Sequence, residues 1–215
     1  MESVLKRRDF NLQTLMAVLL GSLSLSSLAA NPSQLLVVGD SLSAEYGIAR
    51  GTGWVALLAE QLQRENPQWQ VVNASISGDT TAGGLARLPA LLAQHRPKLV
   101  AIELGGNDAL RGFSLTMTQD NLVKMIQACQ QAKAKVMLIG MQVPPNYGAS
   151  YAAEFSQLFV RLSKAHQVAL VPFLLKGVAD AKDPTALFQS DRIHPTAQAH
   201  PIILANVWAV LKKML

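Results

Sequence analysis

The chain has 215 residues, 50% of them hydrophobic and 15% charged. That supplies one well-formed core and too little for two ordinary domains. Its formal charge of +5 is scattered, with no basic stripe and no interleaved aromatics, so nucleic-acid binding has no support, and a lone cysteine rules out an internal disulfide.

The first thirty residues stand apart. Lys6-Arg7-Arg8 forms a basic start, residues 15–28 are apolar or small without charge, and Ser27-Leu28-Ala29 offers small residues to signal peptidase. This pattern predicts a signal peptide over residues 1–30, cut after Ala29 or Ala30, and a periplasmic mature chain over 31–215. An uncleaved anchor is the alternative, but the uncharged run over 11–34 is diluted by Asn, Gln and several Ser. Arg7-Arg8-Asp9-Phe10 resembles a twin-arginine export signal, beside the general secretion route. Cleavage lowers the net charge by one, because Lys6, Arg7 and Arg8 leave with Glu2 and Asp9. The mild positive balance that remains fits a weak association with anionic membrane lipids at most.

In the mature chain, Leu35-Leu36-Val37-Val38 runs straight into Gly39-Asp40-Ser41-Leu42. An unbroken apolar run closed by turn residues predicts a buried parallel strand. Trp54, Leu58 and Leu62 mark a helix that Asn66-Pro67 stops. Val71-Val72-Asn73-Ala74 is a second strand and leads to Gly78. Leu85, Leu88, Leu91 and Leu92 mark the next helix. Leu99-Val100-Ala101-Ile102-Glu103-Leu104 is the third strand, ending in Gly105-Gly106-Asn107-Asp108. The following helix carries Leu122, Met125, Ile126 and Cys129 on one face, which makes Cys129 a core residue. Lys135-Val136-Met137-Leu138-Ile139-Gly140 and Val168-Ala169-Leu170-Val171 are strands four and five, separated by a helix with Phe155, Leu158, Phe159 and Leu162. A last helix carries Ile203, Val207, Val210, Leu211 and Met214. Strands alternating with helices predict an α/β three-layer sandwich around a five-stranded parallel sheet.

Chemistry collects at one edge of that sheet. Ser41, Gly78 and Asn107 follow strands one, two and three, and Asp191-Arg192-Ile193-His194 precedes the last helix. A serine hydroxyl needs a base, histidine serves near neutral pH, and a carboxylate fixes the ring's tautomer. Backbone N–H groups at Ser41 and Gly78, with the Asn107 amide, suit the oxyanion of a tetrahedral intermediate. His95, His166 and His200 read as plain, at helix ends or within the last helix.

These blocks resemble the SGNH, or GDSL, hydrolase family: Gly39-Asp40-Ser41-Leu42, Gly78, Gly105-Gly106-Asn107-Asp108 and Asp191 to His194. Asn73-Ala74-Ser75-Ile76-Ser77-Gly78 and Pro144-Pro145-Asn146-Tyr147-Gly148 are similar to its periplasmic branch of thioesterases, lysophospholipases and arylesterases. The resemblance implies a flavodoxin-like fold with strand order 2-1-3-4-5. It also implies a triad of Ser41, Asp191 and His194, and an oxyanion hole of Ser41, Gly78 and Asn107. The expected activity is hydrolysis of small acyl esters and thioesters by a monomer, with no cofactor and no metal. Glu45 and Arg192 stand where glycine is common in the family, and both are expected to put charge beside the cleft.

Substrate contacts are expected from Leu110 and Phe113 after Asn107, and from Pro144, Pro145, Asn146 and Tyr147 after strand four. Two prolines stiffen this last loop, and Tyr147 offers an apolar ring with a polar tip. Three alternatives stand beside this reading. A carbohydrate O-acetyl esterase shares the fold, because function lives in the site. A flavodoxin-like cofactor binder is disfavoured, since no Gly-x-Gly-x-x-Gly follows strand one. An ordinary α/β-hydrolase elbow needs glycine where Ser43 stands.

Overall fold

The computed structural model describes residues 32–183 and 185–215. The expected signal peptide lies outside the described residues. Five parallel strands form the sheet: β1 (Ser33–Gly39), β2 (Trp69–Asn73), β3 (Leu99–Glu103), β4 (Lys135–Ile139) and β5 (Ala169–Val171). Their order is β2-β1-β3-β4-β5, as the family resemblance implies. Between them run α1 (Trp54–Glu65), α2 (Thr81–His95), a short α3 (Gly106–Leu110), α4 (Leu115–Gln131) and α5 (Ala149–His166), and α6 (His200–Leu211) closes the chain.

The order follows from handedness. The chain steps one way from β1 to β2, then the other way through β3, β4 and β5. Right-handed crossovers therefore place α1 on one face and α2, α4 and α5 on the other. The packing agrees: α1 lies against α6, α2 against α4, and α4 against α5. The direction reverses between β1 and β3, and an open α/β sheet forms its crevice at such a point. Register then sets the site, because Gly39 stands opposite Glu103 and the loops carrying Ser41 and Asn107 leave the sheet side by side.

Leu35, Leu36, Val37 and Val38 are fully buried because helices cover both sides of β1. Each helix buries one stripe, such as Trp54, Leu58 and Leu62 on α1 or Leu122, Met125, Ile126 and Cys129 on α4. Burial pushes the Cys129 thiol up to about 12, so it is an inert core residue as expected. His200 differs from its plain reading. It is the first residue of α6, is buried, and its Nδ1 accepts the Trp54 N–H at 3.0 Å. It thereby caps α1, whose preceding residue Gly53 has no side chain to do so. Among the described residues, no helix is long and apolar enough to cross a membrane.

Candidate active site

At the end of β1 the Asp40 side chain turns the chain. Its Oδ1 accepts the Leu42 N–H at 3.0 Å, and its carbonyl accepts the N–H groups of Ser43 and Ala44 at 3.2 and 3.0 Å. This tight turn lifts Ser41 out of the sheet edge. His194 comes from a loop pinned on two sides. Gln189 N–H donates to the His194 carbonyl at 2.7 Å, and the Gln189 amide donates to the carbonyls of Tyr46 and Pro195 at 2.9 and 3.0 Å. The result is a relay. His194 Nε2 lies 2.8 Å from Ser41 Oγ, and His194 Nδ1 lies 2.6 Å from Asp191 Oδ2. Asp191 Oδ1 accepts the N–H groups of Ile193 and His194 at 2.9 and 3.0 Å. What burial Asp191 has pushes its carboxyl up. The His194 backbone N–H, the His194 ring and the Ile193 N–H outweigh it and bring the carboxyl down to about 2. Asp191 is thus an anion throughout the neutral range and favours the tautomer that leaves Nε2 as the base.

The three residues expected to supply oxyanion donors, Ser41, Gly78 and Asn107, stand on the segments that follow β1, β2 and β3. The N–H groups of Ser41 and Gly78 make no hydrogen bond among the described residues. Gly78 sits in a turn with φ 78°, closed by the Asp79 N–H donating to the Ile76 carbonyl at 3.1 Å, and this left-handed position suits glycine. Asn107 is the second residue of α3, and one N–H of its amide donates to Asp40 Oδ2 at 3.0 Å. Its second N–H makes no hydrogen bond among the described residues. Asn107→Ala is expected to cost about 3 kcal/mol, a roughly hundredfold fall in kcat, with KM unchanged. Steady-state kinetics on a nitrophenyl ester checks this, and a raised KM with unchanged kcat would make Asn107 a binding residue.

Four neighbours of the site were not singled out by the sequence. Glu103 ends β3 at 0% exposure and accepts the Ser43 hydroxyl at 2.7 Å and the Asp40 N–H at 3.2 Å. A carboxylate near the end of an apolar strand is the signal that could have found it. The Tyr46 ring, 51% exposed, lies 4.4 Å from the His194 ring at a 40° tilt. Arg111 donates to the Gly78 carbonyl at 2.8 Å and so ties the glycine turn to α3. Arg87 pairs with Asp79 at 2.8 Å and donates to the Ala74 carbonyl, bracing the same turn from below.

The expected substrate residues follow β3 and β4, with Leu110 ending α3, and make no hydrogen bonds to the triad among the described residues. Leu110 is exposed and Phe113 half-buried. Pro145, Asn146 and Tyr147 form a 3₁₀ turn, Pro144 and Asn146 are exposed, and Tyr147 packs half-buried on the core. Gly148 follows with φ 89°, as a turning residue should. The expectation for Glu45 needs correcting. Its Oε1 accepts the N–H groups of Gly51 and Gly53 at 2.9 and 2.8 Å, so the carboxylate is spent inside the loop rather than presented to the cleft. Arg192 is exposed next to Asp191. Both residues have φ 59°, the left-handed region in which glycine is most at ease.

Comparison with known proteins gives the family. The GDSL-like Lipase/Acylhydrolase family matches residues 37–202. Esterase TesA of Pseudomonas aeruginosa is 52% identical over 181 residues, covering 84% of this chain and 89% of that protein. Thioesterase 1/protease 1/lysophospholipase L1 of Escherichia coli K12 is 44% identical over 175 residues, covering 81% of each. The crystal structure of the psychrotrophic esterase EstA from Pseudoalteromonas sp., inhibited by monoethylphosphonate, superposes with a TM-score of 0.79 at 39% identity, covering 85% of this chain and 98% of that one.

Proposed function

The chain belongs to the GDSL-like lipase/acylhydrolase family, and from that premise we propose that it hydrolyses carboxylic esters and acyl thioesters through an acyl-enzyme on Ser41. The observation that carries this reading is the unbroken relay Ser41–His194–Asp191, at 2.8 and 2.6 Å. Ser41 Oγ attacks the acyl carbonyl as His194 Nε2 takes its proton. The N–H groups of Ser41 and Gly78 and the Asn107 amide hold the oxyanion. Collapse expels the alcohol or thiol, which leaves with the proton from His194. Water then attacks the acyl-enzyme, His194 again removes the proton, and the acid departs.

The direct test is hydrolysis of nitrophenyl esters from acetyl to palmitoyl, beside an acyl-CoA and a lysophospholipid. Turnover of the esters and of the thioester is expected, and no turnover of any would overturn the reading.

Substrate range follows from the apolar rim. Leu110, Phe113, Pro144, Pro145, Asn146 and Tyr147 line an acyl groove in this proposal. Each buried methylene is worth about 0.8 kcal/mol, so kcat/KM is expected to rise about fourfold per methylene until the groove is filled. Replacing Pro144 and Tyr147 with alanine should flatten that climb and leave acetyl esters unaffected. A wild-type preference for acetyl esters would instead favour a carbohydrate O-acetyl esterase.

Export completes the proposal. Mature protein from the periplasm is expected to begin at Ala30 or Asn31. Intact mass spectrometry checks this, and a membrane-bound chain still carrying residues 1–29 would show an anchor.

A further inference from the structure

Glu103 is fully buried, and neither of its oxygens meets a cation among the described residues. Oε2 accepts from Ser43 and from the Asp40 N–H, while Oε1 is buried with no partner among the described residues. The fold leaves room for it deliberately: a Cβ on Gly39 would meet Glu103 Oε2 and Ser43 Oγ at 2.8 Å each. Its other buried neighbour is Asp40, 2% exposed, whose backbone N–H it accepts and whose carboxyl charge acts on it. Two carboxylates are acceptors only, so a hydrogen bond between the pair needs a proton on one of them.

The donors around the pair say where the proton sits. Asp40 receives the Leu42 N–H on one oxygen and the Asn107 amide on the other, both of which favour its anion. Burial and then the Asp40 charge push Glu103 well above the usual carboxyl range. Burial raises Asp40 too, but the Leu42 N–H, the Asn107 amide and the His194 charge pull it back down. The charged groups facing the pair are His194, which acts on Asp40, and Arg87, whose guanidinium is 3.4 Å from the Gly39 carbonyl but already paired with Asp79.

We propose that Glu103 is a positioning residue: as a neutral acid it donates a hydrogen bond to the Asp40 carboxylate, which in turn holds the Asn107 amide with its second N–H toward the oxyanion. The direction of this chain matters. Were the proton on Asp40 instead, its carboxyl would be a weaker, uncharged acceptor and would hold the Asn107 amide less firmly. The proposal rests on the reading of Asn107 as an oxyanion donor.

Glu103→Gln tests it, because an amide keeps the shape, donates to Asp40 and accepts from Ser43 and the Asp40 N–H. Glu103→Gln is expected to keep kcat within about twofold, whereas Glu103→Leu loses about tenfold in kcat with KM unchanged. In an Asn107→Ala background Glu103→Leu should cost nothing further, since its route to the oxyanion is already gone. Infrared spectroscopy of the wild type at neutral pH should show the C=O stretch of a protonated carboxyl, absent in Glu103→Gln. This readout stands even if Glu103→Leu fails to fold. No such band, a Glu103→Gln variant as impaired as Glu103→Leu, or an undiminished Glu103→Leu loss without Asn107 would each overturn the proposal. If Asn107→Ala itself leaves kcat intact, the oxyanion reading has failed, independently of Glu103.

Discussion

Ser41→Ala is expected to lower kcat by on the order of a millionfold, the scale seen when the nucleophile of a serine hydrolase is removed. Only Oγ is lost. Its one hydrogen bond among the described residues is to His194 Nε2, and the turn that carries it is held by Asp40 instead. The fold should therefore be untouched, with the same circular dichroism and melting temperature as the wild type. Residual catalysis from the three oxyanion donors should remain roughly a thousandfold above the uncatalysed reaction. Saturating turnover of a nitrophenyl ester measures the loss, and a variant within tenfold of the wild type would mean that another group attacks.

Asp191→Asn should lower kcat about ten-thousandfold, for a different reason. The variant's carbonyl oxygen can still accept the N–H groups of Ile193 and His194, which keeps the loop in place. Its amide then faces His194 Nδ1 and donates to it. That fixes the opposite tautomer, with Nε2 protonated and unable to take the Ser41 proton. The wild-type carboxyl, brought down to about 2, stays charged across the neutral range, so its own titration contributes nothing to the pH profile there. Kinetics with nitrogen NMR of the His194 ring checks both parts. An unchanged tautomer with unchanged kcat would remove Asp191 from the relay.

Much of this arrangement was legible because its signals are local. Strand β1 is an unbroken apolar run, and its end is marked by Gly39-Asp40-Ser41. Asp191 and His194 are three residues apart, so one loop carries both. Cys129 lay on a clean helical stripe. The strand order came from family resemblance, since periodicity within a strand says nothing of its neighbours.

What was missed depends on contacts distant in sequence. Glu103 was read only as one residue of the third strand, and the register with Gly39 sets it against Ser43 and the Asp40 N–H. His200 followed a helical pattern, and its capping of Trp54 depends on α6 docking beside α1. Glu45 was expected at the cleft, but a left-handed turn aims its carboxylate at Gly51 and Gly53. The helix α3 has five residues, too few for any period to register.

A single measurement addresses the central claim, that Ser41 is the acylated nucleophile. The wild type is treated with a fluorophosphonate probe, digested, and the adduct located by peptide mass spectrometry. The account predicts one adduct, on Ser41, lost in Ser41→Ala and suppressed in Asp191→Asn. An adduct on Ser43, Ser75 or Ser77, or undiminished labelling of Ser41→Ala, would contradict it.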